Sequence, residues 1–200
     1  MAVEKRSLTD AMQTFRIEAE SLAETAKVLD AEAFGRAVEV LSKAPRIAAA
    51  GCGHTGIACR HFAHLMCCIE RPARFLSPAE AVHGGMGFLQ PGDVMLLASR
   101  GGKTDELMPI ADICRKKGVT VIAVTENLSS PLAEKADIVL AMKVTRECDP
   151  YNCQGTTSFA VTCAIFDALQ VAVLEHTGFR NEEFAVIHPH GAVGKRLNQK

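Results

Sequence analysis

The sequence has no surplus of charge in either sign. Its 200 residues carry 22 Lys and Arg against 23 Asp and Glu, a net charge of −1, with no basic block. That argues against a broad nucleic-acid surface, although a compact anion needs only local donors. No uninterrupted apolar run approaches the ~18 residues of a membrane span, so no membrane association is expected. The N-terminus, MAVEKRSLTD, lacks the apolar stretch of a signal peptide, and the expected location is the cytoplasm. There is no CxxC pair among the eight cysteines, Cys52, Cys59, Cys67, Cys68, Cys114, Cys148, Cys153 and Cys163. In a reducing compartment these read as buried small hydrophobes, not as disulfides or zinc ligands. Cys52, in a glycine loop, and Cys148, beside Glu147, lie nearest to potential chemistry. Internal repeats, low-complexity segments and linkers are lacking too. What remains is 48% hydrophobic and 22% charged residues, an ordinary globular balance. The expectation is one domain over residues 1–200, with helices up to residue 45 and a sheet core and tail from 46 onward.

Helical and extended patterns alternate. Ser7 and Asp10 suggest a capping pair. Leu8, Met12, Phe15, Ala19, Leu22, Ala26 and Leu29 then form a heptad-like stripe that needs a helical partner, either a second helix around Phe34, Val38 and Leu41 or a neighbouring subunit. Short apolar runs at Arg46–Ala50, Ala73–Leu76, Asp93–Ala98, Val119–Thr125 and Asp137–Met142 each end in a turn signal. Continuous rather than alternating, they predict strands buried on both faces. The stretches between them, about Thr55–Cys68, Thr104–Lys117 and Ser129–Ala136, are long enough for helical crossovers. Gly118 is placed as a C-cap and Pro131 as a helix start, and Pro109 should kink its helix. A long apolar helix over Thr156–His176 ends at Gly178, followed by a second small helix. The sum is an α/β protein with a mostly parallel sheet between two layers of helices.

Ligands of such sheets bind outside the carboxyl ends of the strands, where four segments stand out. Gly51-Cys52-Gly53-His54-Thr55-Gly56 joins a strand to a helix, so Gly53, His54 and Thr55 can meet an anion at a helix N-terminus. The same stretch fits G-x-G-x-x-G, but no acidic residue stands at the end of the next strand, as a dinucleotide site requires. Ser99-Arg100-Gly101-Gly102-Lys103-Thr104 offers Ser99, Gly101, Gly102 and Thr104 to a phosphate monoester and lacks the spacing of a nucleotide P-loop. Thr156, Thr157 and Ser158 bring three hydroxyls where an N-cap needs one. His83, Glu106, Glu147 and His188 form an acid–base set. Isomerising an aldose to a ketose moves a proton between neighbouring carbons and another between oxygens, which His and partly buried Glu can do near neutral pH.

Several motifs in order then carry a resemblance. They are Pro78-Ala79-Glu80-Ala81-Val82-His83-Gly84, Ser99 through Glu106-Leu107, Val144 with Glu147 and Pro150, Thr156-Thr157-Ser158, Phe166-Asp167-Ala168-Leu169, and the tail from Gly178-Phe179 through His188-Pro189 and Gly191-Ala192 to Arg196-Leu197. The chain resembles the sugar isomerase (SIS) family, within it the arabinose 5-phosphate isomerases that lack C-terminal CBS modules. The resemblance implies a five-stranded parallel sheet flanked by helices, a homotetramer with sites between subunits, and a sugar-phosphate substrate. It implies that Ser99, Gly101, Gly102, Thr104, Thr156, Thr157 and Ser158 surround the phosphate, and that His83, Glu106, Glu147 and His188 surround the sugar. It implies no cofactor. Departures fall on the substrate-facing positions. His54 stands where the family has lysine, Gly85 where it has aspartate, Arg100 and Gly101 where it has asparagine and serine, and Lys103 where glutamate is common. The expected activity is aldose–ketose isomerisation through an enediol. A non-catalytic sugar-phosphate sensor is the alternative, and a metal held by His54, His83 and His188 is a third, more distant idea.

Overall fold

The computed structural model describes residues 2–199, so the expected outer boundaries at Met1 and Lys200 lie outside the described residues. Two helices, α1 (Ala2–Val28) and α2 (Ala31–Lys43), lead into β1 (Ile47–Ala50), α3 (Gly53–Cys67), β2 (Ala73–Phe75), α4 (Pro78–Ala81), β3 (Val94–Ala98), α5 (Met108–Lys117), β4 (Thr120–Thr125), α6 (Pro131–Lys135) and β5 (Ile138–Ala141). Three more helices follow: α7 (Thr157–Thr177), α8 (Asn181–Ile187) and α9 (Gly191–Asn198). The strands form one parallel sheet in the order β2-β1-β3-β4-β5.

Burial on both faces explains the continuous apolar runs. Ile47, Ala49, Leu96 and Val124 point into a core shared with α2, α3 and α7, built around Phe62 and Phe166, whose rings lie 5.0 Å apart. Their neighbours Ala48, Ala50, Met95, Leu97 and Ala123 face a second core under α4, α5 and α6. The result is the expected three layers. By length and composition α7 could span a bilayer, yet it lies as the inner helix of one layer, packed on α1, α2 and α3. Its apolar character serves that position.

The termini follow local rules. Asp30 caps α2 by accepting the Ala33 N–H, Ser130 caps α6 by accepting that of Ala133, and Gly118 and Gly178 close α5 and α7 in the left-handed conformation. Asp93, expected in β3, ends just before it. Its buried carboxylate takes the Arg46 N–H, the Arg46 guanidinium at 2.8 Å and the Gln90 N–H, pinning the start of the strand.

Several expectations are corrected. Ser7 caps nothing: α1 begins at Ala2, and the Ser7 hydroxyl donates back to the Val3 carbonyl. Pro109 does not kink a helix, because a 3₁₀ turn over Asp105–Leu107 precedes α5 and leaves Pro109 in its first turn, where no N–H is needed. The tail holds two short helices, not one. The stripe on α1 is turned outward, with Leu8, Met12, Phe15 and Leu22 exposed. The inward face carries Ile17, Ser21 and Thr25, four residues apart. It packs on α7, not α2, and is bonded to residues 143–145, with Thr25 donating to the Lys143 carbonyl and Ser21 paired to Thr145. All eight cysteines are free among the described residues, but only Cys59 and Cys114 are fully buried, and Cys67 and Cys153 are exposed.

Candidate active site

The chain leaves β1 toward β2 on one side and later returns to β3 on the other. The sheet therefore changes direction at the carboxyl ends of β1 and β3, the place where doubly wound sheets open a crevice. A cavity of about 420 Å³ lies there, lined by Gly51, Cys52, Gly53, Gly56, Ile57, Arg60, Phe75, Ser77, Pro78, Ala79 and Glu106.

Glycine makes its floor possible. A Cβ on Gly56 would sit 2.6 Å from the Gly51 carbonyl oxygen, and Gly53 takes a φ of +55°. Cys52 caps α3 through its backbone alone, with no side-chain bond among the described residues, so the first N–H groups of this 15-residue helix stay open to an anion. Glu106, on the 3₁₀ turn after β3, supplies the carboxylate of the wall. Burial, then the Glu106 charge, pushes the Cys52 thiol above its ordinary pKa. Arg60 adds a cation two turns into α3 and stacks over Phe75 at 4.0 Å. Sequence reading missed Arg60. Its signal was modest: a basic residue one helical turn after Gly56.

The loop after β3 is closely knit. The Ser99 and Thr104 hydroxyls pair at 2.8 Å, and Ser99 Oγ accepts the Gly102 N–H at 3.1 Å. Gly102, at φ +65°, lies against Ser130. Arg100, in the same loop, donates to Glu126 at 2.9 Å and to Glu147 at 2.7 Å. Glu147, 3% exposed, also accepts the Ser158 N–H and the Thr156 hydroxyl. The Cys148 thiol pairs with Thr157 at 3.1 Å, and its N–H donates to Thr156, so Cys148 does lie beside the hydroxyl cluster. His54 closes the triangle. Its ring meets Phe159 edge-on, and a Cβ on Gly155 would come within 3.2 Å of its Nδ1. The three segments 51–56, 99–106 and 147–159 thus converge.

The two other histidines sit elsewhere. His83 is exposed just past α4, whose first residues line the cavity. His188 is stacked on Phe184 and lines a separate hollow with His64, Cys67 and Cys68 at the far end of α3. Fifteen helical residues span roughly 22 Å, so within one chain His188 does not reach the crevice. The metal idea fails in one chain for the same reason. Among the described residues no group of three or more His, Cys, Asp or Glu is arranged to hold an ion. Two departures from the family pattern gain a steric reading. At Gly85 a Cβ would lie 2.7 Å from the Glu80 carbonyl oxygen, so this loop has closed over the space an aspartate would need. Gly101 has open space around it.

Fold and crevice together define a doubly wound α/β protein with an anion-ready helix terminus facing a carboxylate. The SIS domain matches residues 40–172, and the chain belongs to that family. It is 39% identical over 152 residues to an arabinose 5-phosphate isomerase of Pseudomonas aeruginosa, covering 76% of this chain and 47% of the relative. It is 34% identical over 191 residues to an arabinose 5-phosphate isomerase of Escherichia coli, covering 95% and 60%. The chain thus spans about half to three-fifths of the length of these curated relatives. Among solved structures, a candidate sugar-phosphate isomerase of Listeria monocytogenes superposes with a TM-score of 0.90 at 40% identity, covering 93% of this chain and 98% of the other. A protein of Escherichia coli in complex with arabinose 5-phosphate superposes with a TM-score of 0.86 at 25% identity, covering 92% and 98%.

Proposed function

We propose that this chain is a sugar-phosphate aldose–ketose isomerase working through an enediol, on a pentose or hexose phosphate of the arabinose 5-phosphate type. The observation that carries the reading is the crevice itself. An open helix N-terminus, suited to a phosphate, faces the Glu106 carboxylate across one small cavity, and the Ser99–Thr104 hydroxyl loop leads directly into Glu106. The phosphate lies among Gly53, His54, Thr55, Ser99, Gly101, Gly102, Thr104 and Thr156 to Ser158. Glu106 takes the C2 proton of the aldose, leaving an enediolate, and returns it to C1 to form the ketose. His83 at the rim and His188 carry the proton between O1 and O2. Glu147 stands behind the hydroxyl cluster. Relatives named as isomerases and a structural neighbour holding arabinose 5-phosphate support this assignment.

His188 reaches the sugar from a neighbouring subunit, which makes the working form an oligomer, a homotetramer on the family resemblance. The outward apolar stripe of α1 supports association. The chain acts as one domain in the cytoplasm, a setting that suits eight free thiols.

Proton NMR in D₂O with arabinose, ribulose, glucose and fructose phosphates tests the reading. Interconversion with deuterium entering at the exchanged carbon is the expected result. Binding, seen as a rise in melting temperature, without exchange or conversion would overturn the catalytic assignment in favour of a sensor.

A further inference from the structure

Arg100 has no part in the proton transfer above and does not line the cavity, yet its guanidinium bonds two carboxylates beside it. Its Nε donates to Glu126 Oε2 at 2.9 Å and its Nη1 to Glu147 Oε1 at 2.7 Å. Glu126 in turn holds Lys143 at 3.2 Å and the Val144 N–H at 3.3 Å. On Glu147, the second oxygen takes the Ser158 N–H at 3.1 Å and the Thr156 hydroxyl at 3.3 Å. The Arg100 carbonyl is fixed too, accepting the Glu126 N–H and the Thr125 hydroxyl. One continuous path therefore runs from the hydroxyl loop after β3, through a guanidinium and a buried carboxylate, to the first turn of α7. Charge-assisted bonds of this kind are short and directional, and a buried carboxylate stripped of its cation is strongly disfavoured.

We propose that Arg100 is a positioning residue: through Glu147 it sets the spacing between the Ser99–Thr104 loop and the α7 N-terminus, and it commits Glu147 to holding that phosphate cradle instead of carrying a proton. The ligand named here rests on the sugar-phosphate reading; the coupling of the two segments does not. A phosphate is gripped alike in the ground and transition states, so losing the spacing removes uniform binding, raising KM and sparing kcat. A proton carrier at Glu147 would show the reverse.

The test compares the full chain with Arg100→Met, Arg100→Lys and the double variant Arg100→Met/Glu147→Gln. Three readouts are taken: kcat and KM for arabinose 5-phosphate, the Kd for inorganic phosphate, and amide hydrogen exchange at Ser158. Arg100→Met should raise KM and Kd by about tenfold or more with kcat within about threefold, and should speed exchange at Ser158. Arg100→Lys should recover part of this, because an ammonium can hold one carboxylate but cannot fork between two. The double variant should recover most of it, since the glutamine oxygen still accepts the Ser158 N–H and no buried anion is left unpaired. Unchanged Kd and exchange in Arg100→Met, a fall in kcat with KM unchanged, or a double variant no better than Arg100→Met would each overturn the proposal. Should Arg100→Met fail to fold, Arg100→Lys and the double variant carry the comparison. If the wild type neither binds nor converts a sugar phosphate, the functional reading fails, and exchange at Ser158 alone decides the role of Arg100.

Discussion

Gly102 is where one methyl group should do the most damage to the crevice. A Cβ built there would lie 2.0 Å from Ser130 Oγ and 2.4 Å from Ser130 Cβ, at a backbone φ of +65°. Three costs follow from Gly102→Ala. The left-handed backbone costs about 1 kcal/mol with a side chain present. Forcing a methyl into occupied space adds about 1–3 kcal/mol. Ser130 cannot move aside freely, because its hydroxyl accepts the Ala133 N–H at the start of α6, and losing that cap adds about 1 kcal/mol. The sum, about 3–5 kcal/mol, corresponds in a domain of this size to a fall in Tm of roughly 10 °C. Thermal unfolding followed by circular dichroism reads it. The double variant Gly102→Ala/Ser130→Gly separates the causes: it removes the collision with Ser130, leaves Thr125 Oγ1 at 3.0 Å, costs only a few tenths of a kcal/mol at the cap, and keeps the backbone strain. It should regain well over half of the lost stability. A Gly102→Ala protein within about 1 kcal/mol of wild type, or a double variant that regains nothing, would refute the reasoning.

The neighbouring Gly101 should behave oppositely. It has open space and no positive φ, so Gly101→Ser should keep its Tm and, by restoring the hydroxyl found in the family, tighten phosphate binding several-fold by calorimetry. Acid stability should report the Arg100 network. Burial alone would raise the Glu126 carboxyl pKa, but Arg100, the Val144 N–H and Lys143 outweigh it and hold it below its ordinary value of 4.5. A carboxyl lowered on folding stabilises above its unfolded pKa and loses that contribution as the pH falls through the folded one. Urea midpoints should therefore drop on acidification below 4.5, and less steeply in Lys143→Met. Thiol labelling of the native protein should modify exposed Cys67 and Cys153 first. Cys114, pushed up to about 12 by burial and next by Asp137, and Cys59, raised by burial above all, should react last.

The sheet was legible because its residues have one job each. Runs such as Val94–Ala98 and Val121–Val124 are buried on both faces, and their shortness and flanking turn signals set them apart from a buried helix such as α7. Gly118 and Pro131 were legible for a similar reason, each having a conformation that few alternatives share. The α1 stripe left two partners open, α2 or another subunit, because sequence periodicity reports that a face is apolar, not which neighbour covers it; its exposure removes α2. Inside the chain α1 uses Ser21 and Thr25, polar residues that hydrogen-bond to residues 143–145 and leave no hydrophobic signature. Pro109 misled because a 3₁₀ turn before a helix reads as helix from composition alone. At the crevice, the Ser99 and Thr104 hydroxyls lie in the loop that leads to Glu106 and do not line the cavity, while Gly53 and Glu106 could be picked out from their place after strands. Arg60 could not, since exposed arginines on helices are common and only the folded wall makes this one face a cavity. The partners of Glu147 were also hidden: Arg100 stands 47 residues away, and Thr156 and Ser158, nine and eleven residues on, do not announce a pairing.

His188 poses the last question, whether the tail serves its own crevice or a neighbour's. Within the chain it lies at the lower end of α3, stacked on Phe184, with Gly194 so close beneath that a Cβ there would lie 2.3 Å from the His188 carbonyl oxygen. The turn between α8 and α9 is thus closely packed where it stands, and a local swing of His188 toward Glu106 would have to break that packing. Delivery by another subunit needs no such break, and it makes a quantitative claim. Glu106→Gln and His188→Ala should each be inactive alone. Co-refolded at equal ratio, they should regain activity, because a crevice can draw Glu106 from one variant and His188 from the other; with symmetric, random assembly about one site in four is complete. The activity of the mixture, measured against wild type at the same subunit concentration, should approach that fraction. Activity that stays at the level of the single variants, in a mixture shown by mass spectrometry to contain hetero-oligomers, would place His188 in its own subunit's site or outside the reaction altogether.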